Sequence, residues 1–127
     1  MREYKFRGKA VTGIWVYGGI SIKSHGVFIN DENLPYDDCC RVIPETVGQF
    51  TGLKDVNGID IHEGDIVRTR GGITGVIEFG SVFIDEDNYP ICWFIQCKTP
   101  VTLDEDSSDW LMVIGDIHDN PSLMEAN

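Results

Sequence analysis

A chain of 127 residues, 42% apolar and with 14 glycines, is sized for one domain or two small subdomains and is composed to fold. Its 10 basic and 21 acidic residues give a net charge of −11, which disfavours a general polyanion-binding surface. The excess is one-sided: residues 1–57 carry seven basic and seven acidic groups, residues 58–127 three and fourteen.

In chain order, short β-type segments separated by turn residues dominate. Tyr4 and Phe6 alternate with charged neighbours, as a half-buried strand requires. Residues 14–17 and 20–23 are apolar arms around Gly18-Gly19, a pattern that predicts a hairpin with a tight glycine turn. Residues 27–29 and 40–43 have strand character, the second stopped by Pro44, and residues 30–38 form a polar loop containing Pro35. Asn57-Gly58 predicts a tight type I′ turn. Glu63-Gly64-Asp65 leads into the β-branched pair Ile66-Val67, as at the start of a small SH3-like barrel.

Gly71-Gly72 turns into a strand over residues 73–79, with Ile73, Gly75, Ile77 and Phe79 on its buried face. Strands over 82–84 and 91–96 flank the acidic turn Asp85-Glu86-Asp87, residues 98–109 read as an acidic loop, and residues 110–114 form the last strand. Asn120-Pro121 predicts an N-capped terminal helical turn. The expected fold is therefore mainly β with little helix: a partly open barrel or sheet whose subdomains are an N-terminal β part (1–57) and an SH3-like part (58–127).

Residue chemistry gives no catalytic constellation. His62, Glu63 and Asp65 are close in sequence, but His62 and Glu63 alternate faces on a strand and no second His or Cys pair completes a metal set. His25 and His118 have no nucleophile motif beside them. The acids at 37–38, 85–87 and 104–106 read as solvated loops. The glycines of the central region lack the helix and lysine of a phosphate cradle. Cys39, Cys40, Cys92 and Cys97 read as free thiols in a reducing cytosol, and neither an apolar span nor a leader is evident, so the expected location is cytoplasmic. No cofactor is expected. Aromatic and basic residues interleave only at Tyr4-Lys5-Phe6-Arg7, which makes Lys5 and Arg7 the candidate nucleic-acid contacts.

Three stretches carry a wider pattern: residues 2–9 with Trp15-Val16-Tyr17-Gly18, residues 44–67, and residues 113–121. Together they resemble the YopX family of phage and prophage proteins. His62 stands where that family more usually has an aromatic residue, and Asp116 where it more usually has Asn. The resemblance implies a β-rich fold with a barrel-like part and no established activity, so it lends no catalytic residues. Glu45, Thr46, Gln49, Thr51 and Asp65 stand out in the central motif as polar groups between turn glycines, suited to bonding backbone in an irregular connection that clamps the halves together. The expected function is a non-catalytic, self-associating interaction module with a host or phage protein as partner. The alternative is a nucleic-acid-binding accessory protein that uses the barrel and the basic N-terminal strand.

Overall fold

The computed structural model describes residues 6–31 and 40–125. The chain is mainly β and divides into two compact units, 1–50 and 51–127.

In the first unit the antiparallel order is β4-β3-β2-β1-β5: β1 is Phe6–Lys9, β2 Trp15–Lys23, β3 Gly26–Asn30, β4 Cys40–Val42, and β5 begins at Gly48. Ala10, Val16, Ile29 and Val42 form the buried core, with Phe6, Val27, Cys40 and Val47 packed around it. Gly18-Gly19 is not a turn. It lies inside β2, whose first part pairs with β1 (Gly18 opposite Phe6) and whose second part pairs with β3 (Gly19 opposite Asn30). The glycines mark the place where one strand changes partner: a Cβ built on Gly18 would overlap the Asn30 carbonyl oxygen. Close approach of backbone, rather than positive φ, is what requires glycine here.

In the second unit β5 continues to Lys54, followed by β6 (Asp60–His62), β7 (Asp65–Thr69), β8 (Thr74–Ser81), β9 (Ile91–Gln96), β10 (Val101–Thr102), β11 (Leu111–Asp116) and the short helix α1 (Ser122–Glu125). Its five-stranded sheet runs β10-β9-β8-β7-β11, antiparallel and open rather than closed into a barrel. Ile61, Val67, Ile77, Ile95 and Leu111 are fully buried and form its core, with Leu53, Trp93, Val101, Leu103 and Trp110 packed against them. Burying each such aliphatic side chain contributes roughly 1.5–3 kcal/mol.

One turn geometry recurs in three hairpins: Ala10 to Ile14, Asp55 to Ile59 and Thr69 to Ile73. In each, the first residue's amide donates to the fifth residue's carbonyl (2.7, 2.9 and 2.8 Å), and the fourth residue's amide donates back to the first residue's carbonyl (2.8, 3.0 and 2.9 Å). The fourth residue is always glycine, with φ of 101°, 78° and 90° at Gly13, Gly58 and Gly72. This is the three-residue hairpin loop with a left-handed glycine bulge. It corrects the type I′ expectation at Asn57-Gly58, which needs positive φ at both central residues, whereas among the described residues only glycines have it.

Other expectations shift for local reasons. Residues 82–84 are not strand, although Val82 and Ile84 still donate across the hairpin to Pro90 and Asn88 (2.9 and 3.0 Å). The segment 98–109 is not all loop: Val101 and Thr102 pair with Ile95 and Phe94, and Ser107–Asp109 forms a 3-10 turn. Of the predicted buried face of β8 only Gly75 and Ile77 are buried; Ile73 and Phe79 are 47% and 54% exposed. The terminal helical turn forms, its Leu123 amide donating to the Asn120 carbonyl (3.0 Å), while the Asn120 side chain accepts a hydrogen bond from the Asp116 amide (3.3 Å). Gly18→Ala is expected to destabilise the protein by about 1–3 kcal/mol, because β2 and β3 cannot keep their register around an added methyl. An unchanged midpoint in urea denaturation would contradict this account of the strand.

Candidate functional site

The polar residues of the central motif are mostly occupied in holding backbone. In the first unit, Thr46 is buried in the 3-10 turn Pro44–Thr46; its Oγ1 donates to the Ile43 carbonyl (2.6 Å) and accepts from the Lys9 amide (2.8 Å). That tie fastens the turn to the end of β1. Glu45 is exposed, and Gln49 is exposed on β5. The segment carrying Gln49 and Thr51 is strand, interrupted by a left-handed residue at Gly52, rather than the loop-like connection expected from its glycines. In the second unit, Thr51 Oγ1 donates to the Ile61 carbonyl (2.8 Å) and accepts from the Leu53 amide (3.1 Å), bridging the ladder beside Gly52, whose φ is 86°.

Asp65 is 2% exposed, and its Oδ2 accepts the His62 amide at 2.7 Å, closing the turn between β6 and β7. His62 is buried with it, while Glu63 projects from the turn into solvent. Glu63 lines an open depression with Gly64, Val76, Ile77, Glu78 and Ile117. Among the described residues no group of three or more His, Cys, Asp and Glu side chains is arranged to hold a metal ion. Asp116 stands opposite Asp65 in the β7–β11 register, but its Oδ1 is committed to the His118 and Asp119 amides (both 2.9 Å).

Asp55, outside the residues the sequence singles out, is a further polar anchor. Asp55 is 1% exposed and accepts three backbone hydrogen bonds: Oδ1 from Asn57 and Ile59 (2.8 and 2.9 Å), Oδ2 from Val113 (2.9 Å). An Asp two residues before Asn-Gly is the available signal, because Asx side chains bond the backbone just ahead of them. The Val113 contact is invisible to local reading.

Lys5 lies outside the described residues. Arg7 is 7% exposed, with its guanidinium 4.8 Å from the centre of the Trp15 ring, so it presents little surface to a phosphate. Cys40, Cys92 and Cys97 are free thiols, and the Cys97 thiol donates to the Thr99 carbonyl at 3.1 Å. Cys39 lies outside the described residues. No helix among the described residues is long and apolar enough to cross a membrane.

Two surfaces of the second unit are not consumed by folding. The β8–β9 hairpin exposes Phe79, Phe83, Ile84, Tyr89 and Ile91, at 54%, 64%, 50%, 56% and 71%. Phe83 and Tyr89 pack ring to ring at 5.4 Å, and the tip between them carries Asp85, Glu86 and Asp87. The other surface is a cleft at the start of β11 that contains Arg68 and Arg70. The exposed apolar hairpin escaped sequence reading because alternation on β8 promises Phe79 a core that ends at Ile77.

These features define a small two-unit β protein whose buried carboxylates accept backbone amides. The chain belongs to the YopX family, which matches residues 9–125 and is described as YopX protein. It is also similar to a solved structure, "Crystal structure of protein EF1440 from Enterococcus faecalis", with 21% sequence identity and a TM-score of 0.47, over 98% of this chain and 99% of that one. No curated protein matches it.

Asp55→Ala is expected to destabilise the protein by about 3 kcal/mol or more, since three amides lose their acceptor. Asp104→Ala, which removes a single exposed bond to the Asp106 amide, should cost under about 1 kcal/mol. Urea denaturation of the two variants checks the difference; similar midpoints would refute the role given to Asp55.

Proposed function

We propose that the chain is a non-catalytic protein-interaction module of a phage-infected or prophage-bearing bacterium, and that it binds a partner through the β8–β9 hairpin. The observation that carries this reading is the run of exposed Phe79, Phe83, Ile84, Tyr89 and Ile91 on one arm. Apolar surface concentrated in this way is what binding faces use, whereas scattered exposed side chains are ordinary. The arm is ordered to its tip: Ile84 donates to Asn88, Asn88 to Asp85, and Asp87 to the Asp85 carboxylate, all at 3.0 Å. Little ordering entropy is therefore left to lose on binding.

Charge selects the partner. No lysine or arginine occurs between Arg70 and Lys98, while Glu78, Asp85, Glu86 and Asp87 do. An apolar pocket rimmed by basic residues complements this arm, and a second copy of the arm is repelled by it. The five short strands support an SH3-like reading of the scaffold, in which strands hold the arm rigid and connections carry recognition.

Self-association, in this reading, uses the first unit. Ile22 on β2 is 78% exposed, and Val11 and Ile14 on the first hairpin are 64% and 52% exposed. Residues 1–57 sum to zero charge, so two such faces meet without the penalty the second half would impose.

Co-purification from expressing bacteria tests the hairpin with Phe83→Ser/Tyr89→Ser, with Asp85→Lys/Glu86→Lys/Asp87→Lys, and with a control reversed at Asp104, Glu105 and Asp106. Capture of a basic partner lost in the first two variants and kept in the control is expected; no partner, or one indifferent to the hairpin changes, overturns the proposal. Sedimentation at micromolar concentration is expected to show an assembly that Ile22→Asp dissociates. A wild-type monomer would end the self-association reading and leave the hairpin reading intact.

A further inference from the structure

We infer that the cleft at the β7–β11 end of the second unit is a binding site for a small organic anion, a phosphate or carboxylate carried on a ring-sized apolar body. The cleft is lined by Val56, Arg68, Thr69, Arg70, Trp110 and Met112, with Asp109 and Leu111 completing it, and is open to solvent with a volume of about 190 Å³. A dry cavity of about 150 Å³ suffices for benzene, so the space suits one ring and its substituent.

The cations are the unusual feature. Residues 58–127 hold three basic residues against fourteen acidic ones, and two of the three, Arg68 and Arg70, meet at this cleft. Against the single carboxylate among its lining residues, Asp109, the formal charge of the cleft is positive within a strongly negative half. Among the described residues no carboxylate forms an ion pair with either guanidinium and no hydrogen bond engages the Arg68 side chain. A guanidinium offers a planar fork of donors that matches the oxygens of a carboxylate or phosphate.

The fold places these groups before any ligand arrives. The Arg70 amide donates to the Trp110 carbonyl at 2.8 Å, and its guanidinium donates to the Asp109 carbonyl at 2.9 Å, which fixes one cation over the rim. Arg68 sits opposite Met112 in the β7–β11 register. Val56 is brought in by the Asp55 turn, where its amide donates to the Leu111 carbonyl at 2.9 Å. Trp110, Met112 and Val56 thus supply the apolar wall and the arginines the charged end, the usual composition of a small-ligand site. Asp55, next to Val56, is committed to three backbone amides, and exposed charges beyond about 8–10 Å are screened at physiological salt. The site is independent of the β8–β9 hairpin and of the interaction proposed for it.

Titration of the full chain with phenyl phosphate, followed in amide and indole N–H NMR spectra, tests this directly. Saturable shifts confined to Trp110 and residues 68–70 and 109–112 are expected. Inorganic phosphate and benzyl alcohol, which each carry half of the ligand chemistry, should bind at least about tenfold more weakly. Arg68→Gln/Arg70→Gln should abolish the saturable shifts, whereas Lys98→Gln, the third cation of this half, should leave them unchanged. The same spectra report whether the double variant is folded; if it is not, Arg68→Gln alone, which removes no hydrogen bond, must weaken binding by at least about tenfold. Shifts that map elsewhere, no saturation by about 10 mM, equal binding of inorganic phosphate, or equal loss in Lys98→Gln would overturn the inference.

Discussion

The second unit is organised around one buried carboxylate. Asp55 holds its own turn through the Asn57 and Ile59 amides and reaches across to the Val113 amide on β11. Strand β11 is an edge of its sheet, so alternate amides and carbonyls along it have no ladder partner. The Asp55 turn supplies those partners: Asp55 Oδ2 takes Val113, and the Val56 amide gives to Leu111. Ser107 adds a third tie, its hydroxyl donating to the Lys54 carbonyl at 3.0 Å, and so docks the acidic segment on the same turn. An edge strand that would otherwise recruit another chain is covered from within. The β7–β11 ladder shifts register between Val113 and Gly115, immediately after that anchor.

Seen this way, the net charge of −11 is three populations rather than one. Asp31, Asp55, Asp65 and Asp116 are at most 9% exposed and accept backbone amides, doing inside the fold what capping residues do at its surface. Asp85, Glu86 and Asp87 stand in solvent at the hairpin tip and shape the field a partner meets. Two of the three cations of the second half, Arg68 and Arg70, line one cleft. Summed charge describes none of these arrangements, because a buried, hydrogen-bonded carboxylate and a solvated one count equally in a total.

Several elements were legible in the residues because their causes are local. Gly71-Gly72, the strand ending at Pro44 and the alternation through Gly75 and Ile77 all follow from φ freedom, a missing amide hydrogen and a two-residue period. The recurring loops Val11-Thr12-Gly13-Ile14, Val56-Asn57-Gly58-Ile59 and Arg70-Gly71-Gly72-Ile73 carry a shared Gly-Ile ending that marks the same turn three times. Gly18-Gly19 misleads for a non-local reason. Glycine serves equally for a turn and for a strand crowded by a neighbour, and only the position of Asn30 distinguishes them. Phe79 misleads in the opposite sense: the period is right, but its strand runs on beyond the core, where Trp93 is its aromatic neighbour at 5.0 Å.

The sequence by itself determined the β-rich class, most turn positions, membership of the YopX family and the uneven distribution of charge, since each depends on neighbouring residues or on a contiguous motif. Tertiary structure alone decided what the polar residues do. Asp55 and Val113 are 58 residues apart, and Arg70 and Asp109 are 39 apart, so no local pattern announces either contact. It also decided which apolar side chains the core leaves over. Burial depends on what the sheet face meets, whereas alternation reports only which face a side chain is on.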